Sequence, residues 1–133
     1  MPVSFYRYQK SKIFISDYID HIDAAEFRDS LQVALKQLDR AVAPLSFIAD
    51  WRRAANYPIS YDMITFISRV VRHPNMGKIV VLGMNPTLEF WGKLFTSLIG
   101  LHYDTANTVQ EALTLLEPYL EAHEEQAAAS HGS

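Results

Sequence analysis

Lys78-Ile79-Val80-Val81-Leu82-Gly83 is a continuous apolar run, rich in β-branched residues and closed by glycine. It has no alternation of polar and apolar positions, so it reads as a strand buried on both faces at the centre of a parallel sheet. Upstream, residues 45–51 (Leu-Ser-Phe-Ile-Ala-Asp-Trp) form a second such run, ending in an acid and a tryptophan. Between the two, Ser60 is expected to cap a helix, with Ile59 and Ile64 as a hydrophobic staple. Met63, Phe66, Ile67, Val70 and Val71 would line its buried side, and His73-Pro74 ends it.

Further upstream, Asp23 and Glu26 have the spacing of a capping box, flanked by Ile22 and Phe27. Phe27, Leu31, Leu35, Leu38 and Val42 recur at helical spacing, predicting a helix over 24–42 that Pro44 stops. Residues 3–8 and 12–18 are aromatic and β-branched, and read as an amino-terminal β-hairpin. Downstream, Asn85-Pro86 opens a third helix and Gly100 closes it. A short strand over 101–105 follows, then a helix capped by Thr108 and Glu111 that Pro118 breaks before Tyr119-Leu120.

The order is therefore a β-hairpin followed by βαβαβα units. It predicts a single α/β domain over 1–123 with a mostly parallel sheet and right-handed crossovers. Residues 124–133 have the composition of an unstructured or appended tail. The chain has 133 residues, about one domain's worth, and 49% of them are hydrophobic. Its net charge of −3 supplies no phosphate-neutralising surface, so nucleic acid is not an expected partner. No run approaches the roughly 20 apolar residues of a membrane span, and the start of the chain lacks a signal-peptide core. A cytoplasmic location is the resulting expectation.

Catalytic and cofactor signatures are missing. With no cysteine there is no thiolate nucleophile and no Cys-based zinc site. The five glycines, at 77, 83, 92, 100 and 132, form no phosphate-cradling loop. The five histidines show no HxH or HExxH spacing, and no GxSxG exists. Asp17, Asp20, His21 and Asp23 cluster in sequence, but Asp23 is already engaged as a cap. No enzyme activity, metal or cofactor is expected.

Two groups remain as candidate sites. Arg52, Arg53, Asn56, Tyr57 and Ser60 follow the second parallel strand, at the sheet edge where open α/β folds bind ligands. Two guanidiniums near a helix start would suit an anion or an interacting protein. The third helix is apolar beyond one stripe. Leu88, Trp91, Phe95 and Leu98 suffice for a core face, leaving Phe90, Leu94 and Ile99 as a candidate dimer surface.

The strand Phe47-Ile48-Ala49-Asp50-Trp51 is followed by a loop, a helix and the strand Met76-Gly77-Lys78-Ile79-Val80-Val81-Leu82-Gly83. Another helix leads to Thr108-Val109-Gln110-Glu111-Ala112-Leu113. Over residues 3–117 this pattern resembles the STAS domain family, more narrowly the bacterial STAS-like proteins related to anti-sigma-factor antagonists. The resemblance implies a non-catalytic module with helices mainly on one side of the sheet, acting through protein–protein contacts in bacterial signalling. It also implies, for some branches of that family, a phosphoacceptor serine at the start of the second helix, to which Ser60 is the nearest residue here. Here Ile59-Ser60-Tyr61-Asp62 stands where the family has Asp-Ser-x-Gly. The expected partners are another protein and a second copy of the chain. The alternative is a carrier or sensor for a small apolar or anionic ligand, held by the strand-end loops and the third helix.

Overall fold

The structure is a computed structural model and describes residues 3–120. Strands β1 (Val3–Arg7), β2 (Ile13–Asp20), β3 (Leu45–Ala54), β4 (Met76–Leu82) and β5 (Asp104–Ala106) form one sheet in the order β1-β2-β3-β4-β5. Only β1 runs antiparallel to its neighbour. The hairpin turn lacks glycine, and Gln9 takes the left-handed conformation at φ 52. Ser11 replaces turn chemistry there: its hydroxyl donates to the Tyr8 carbonyl at 2.6 Å and accepts the Ile13 amide at 3.2 Å.

Helix α1 (Ala24–Arg40) starts on the expected capping box, with the Glu26 amide donating to Asp23 at 2.7 Å and the Asp23 amide to Glu26 at 3.1 Å. Its buried line is Phe27, Ser30, Ala34 and Leu38. Leu31 and Leu35 are only half-buried, and Val42, past the helix end, is 95% exposed. Small residues face the sheet because Phe14, Phe47 and Tyr18 already fill the space opposite. A 3-10 turn, Tyr61–Met63, leads into α2 (Ile64–Val71), which buries Ile67 and Val70. Helix α3 (Pro86–Ile99) is capped by Asn85, which accepts the Leu88 amide at 3.0 Å, and ends on Gly100 at φ 72. Helix α4 (Val109–Leu115) is capped by Thr108. The chain breaks at Leu116, just ahead of Pro118, and restarts as the short α5 (Glu117–Leu120).

Helices α1, α2 and α3 cover one sheet face and α4 with α5 the other, so most helices lie on one side. The expected tail over 124–133 lies outside the described residues. Among the described residues no helix is long and apolar enough to cross a membrane.

Candidate functional site

The two arginines are not in a loop. Strand β3 continues through Arg52 and Arg53 to Ala54, because a bulge keeps it paired. Asp17 pairs with Asp50 and Ile19 with Arg53, so Tyr18 stands opposite two residues, Trp51 and Arg52. Gly83, at φ 84, permits this bulge beside it: a Cβ there would come within 2.8 Å of the Arg52 backbone nitrogen. Asp50 ties the bulge down. It accepts the Arg52 amide at 3.1 Å, and the guanidinium through Nε at 2.9 Å and Nη2 at 2.8 Å.

Arg53 pairs with Asp17, and the two ion pairs share a shallow cleft of about 450 Å³ with Tyr6 and Val109. Burial pushes the Asp50 carboxyl up, but the hydrogen bonds and charge of Arg52 outweigh it and hold the group below the ordinary carboxylate value. The bond to Asp50 raises Arg52 in turn. Burial, then the charges of Asp17 and Asp50, raise the Tyr6 hydroxyl. Each guanidinium is thus matched by a carboxylate, which removes the net positive charge an anion would seek.

The other three residues of the first candidate group face elsewhere. Asn56 spans to Ile22, accepting its amide and donating to its carbonyl, both at 2.7 Å. That pair of bonds clamps the loop after β3 to the start of α1. Tyr57 packs on Trp51 at 5.6 Å between ring centroids, and its hydroxyl is bonded to the Asn85 amide. Ser60 occupies the expected cap position with extended backbone, but its side chain makes no capping bond. Only its carbonyl is engaged, accepting the Met63 amide at 3.1 Å. The tight 3-10 turn, rather than an α-turn, begins here. The five residues therefore do not converge on one pocket.

The third helix is rotated relative to the expected stripe. Leu88, Gly92, Phe95 and Ile99 are buried, whereas Leu98 is 51% and Phe90 53% exposed. Ile99 is thus core, not dimer surface, because it continues the 88-92-95-99 line while Leu98 is turned about 100° from it. Leu94 and Trp91 are half-buried. Tyr61, exposed just after Ser60, meets the edge of Trp91 at 5.4 Å, and Phe90 meets it at 5.3 Å. An aromatic strip therefore runs from the start of α2 onto α3.

Beneath that strip the sequence reading missed a cavity of about 180 Å³ between the sheet and helices α1 to α3. Tyr18, Phe27, Trp51, Ile67, Leu88 and Phe95 are among its walls. Tyr18 and Trp51 stack at 3.8 Å, and burial raises the Tyr18 hydroxyl. No local sequence signal marks it, because its walls come from strands and helices far apart in the chain. Among the described residues no three His, Asp or Glu side chains group as metal ligands.

A five-stranded sheet in sequential order, with one antiparallel edge and helices mainly on one face, is the architecture of the SpoIIAA-like fold. Solved structures share it. The anti-sigma factor antagonist SpoIIAA in its unphosphorylated form superposes with a TM-score of 0.57 at 13% identity, covering 86% of this chain and 97% of that one. The Bacillus cell fate determinant SpoIIAA in its phosphorylated form gives 0.55 at 18%, covering 86% and 98%. A protein of Shewanella loihica PV-4 with a SpoIIAA-like fold gives 0.58 at 10%, covering 86% and 91%. No protein-family model and no curated protein sequence matches the chain.

Proposed function

We propose that this chain is a non-catalytic regulatory module of the STAS type, acting in bacterial signalling by contact with another protein and with a second copy of itself. The observation that carries this reading is the strip in which exposed Tyr61 and Phe90 flank half-buried Trp91 beside Ser60, on a fold shared with an anti-sigma factor antagonist. Aromatic side chains are favoured at the centres of protein interfaces. Phe90 and Leu94 supply the dimer surface, while the partner meets the Ser60–Tyr61 end. A phosphate on Ser60 would stand two residues from Asp62 on an unengaged hydroxyl, and so would change the charge of this surface without breaking a cap.

Light scattering at tens of micromolar tests the reading. The wild-type chain is expected to be a dimer and Phe90→Glu a folded monomer. A wild-type monomer overturns the self-association. The second reading, a carrier of a small apolar ligand, is supported by the cavity under α1 to α3. A native mass spectrum of protein purified without added ligand separates the two: a retained small molecule supports the carrier, a bare dimer the module.

A further inference from the structure

At the opposite end of the sheet from the aromatic strip lies a groove of about 220 Å³, between the β1–β2 turn and the carboxyl end of α1. Arg7, Lys10, Lys12 and Arg40 stand around it, and among the described residues no acidic one lines it. These are four of the chain's twelve Lys and Arg, gathered on one spot of a protein whose net charge is −3. Among the described residues none of the four is paired with a carboxylate. Arg7 is held in place, its guanidinium 5.0 Å from the centre of the Phe14 ring. Like charges so arranged repel one another, and a bound anionic group removes that repulsion.

We infer that this groove docks an acidic peptide segment of a partner protein. A compact phosphate is disfavoured by the wall it would meet. Among the described residues no helix amino terminus points into the groove, so it lacks the backbone amides that cradle a compact phosphate. An extended segment can instead place separate carboxylates at Arg7, Lys10 and Arg40. An apolar side chain between them can rest on Val42, which is 95% exposed at the rim. This surface does not depend on the aromatic strip, so each can fail alone.

One competing occupant belongs to the same chain. The Lys12 amide donates to the Tyr119 carbonyl at 3.2 Å, and Glu121, Glu124 and Glu125 follow Tyr119 closely in sequence. The probe is a fluorescein-labelled peptide of about twelve residues, rich in glutamate with one central leucine, read by anisotropy on the full chain. Saturable binding is expected, weakening as salt rises from about 50 to about 300 mM. Lys10→Glu with Arg40→Glu should weaken it at least about tenfold, and Phe90→Glu should leave it unchanged. Lys10→Gln with Arg40→Gln gives the same readout with milder charge change should the reversed pair unfold. Equal binding of the glutamine version of the peptide overturns the inference, as does equal affinity for either double variant. Displacement by equimolar inorganic phosphate overturns it in favour of a small anion. A rise in affinity when Glu121, Glu124 and Glu125 are all changed to Gln overturns it in favour of the chain's own segment.

Discussion

On one side of the sheet, Ile13, Ile15, Ile48, Val80 and Leu82 meet Ala112 and Leu113 of α4 and Leu116 at its end, and most of these are fully shielded from solvent. On the other side, Tyr18 and Trp51 meet Phe27 of α1, Ile67 of α2 and Phe95 of α3, and about 180 Å³ stays unfilled. Both faces use the same five strands. The aliphatic face is closed by two short helices, α4 and α5, whereas the ring-rich face is covered by three helices and still leaves a gap. The unfilled space and the aromatic strip of Tyr61, Trp91 and Phe90 both belong to the second.

Matched substitutions can break this contrast. Ile48→Ala, at a site with no exposure, is expected to cost about 4 kcal/mol in chemical unfolding, from lost transfer energy and a new void. Ile67→Ala, on the cavity wall, is expected to cost only about 2 kcal/mol, because Ile67 lacks part of its neighbours already. Equal costs would mean that the two faces are packed alike.

Asp50 sharpens the contrast at the edge of the aliphatic face. Asp50→Ala leaves the Arg52 amide at the bulge without its acceptor and should cost about 1–2 kcal/mol, kept low because the guanidinium can rehydrate. The sign with pH follows from the lowered carboxyl. Asp50's contribution is fully present above its ordinary value of 3.8 and is lost as pH falls through the lower folded value. An acid melt of the wild type should therefore show a loss that Asp50→Ala lacks. The smallest pair compares two helix starts on the aromatic face. Asn85→Ala removes a cap bond of 3.0 Å and should cost about 1 kcal/mol, whereas Ser60→Ala removes none and should stay within about 0.5 kcal/mol. A Ser60→Ala loss as large as that of Asn85→Ala would restore Ser60 as a cap.

Much of the fold was legible because its signals are local. The Asp23–Glu26 box, the Asn85-Pro86 start and Gly100 each act through backbone groups within one turn. The apolar run over 78–83 needed no partner to be recognised. Features that depend on distant residues were not legible. Arg52 and Arg53 looked like loop because charge in sequence marks solvent, yet Asp17 and Asp50, on two strands, hold them in the sheet. On α3, Leu88 and Phe95 are core as expected, but Ile99 rather than Leu98 continues their line: the two are equally apolar, and only the position of the sheet decides which one is covered. The site was less legible still, since Asn56, Tyr57 and the arginines are neighbours in sequence but serve opposite faces.

The strand order β1-β2-β3-β4-β5 repeats the order of the chain, and this governs how the molecule can assemble. No strand has to be inserted between two that are already paired, so no open slot must be held while distant chain is searched. Each new strand closes a loop of one helix's length onto the edge its predecessor has just left, which keeps closure entropy small. During synthesis the growing chain can thus add strands one at a time to a sheet begun by the β1–β2 hairpin. The open edge passes from β2 to β3 to β4, and growth stops at Asp104–Ala106, a strand of three residues too short to template a neighbour.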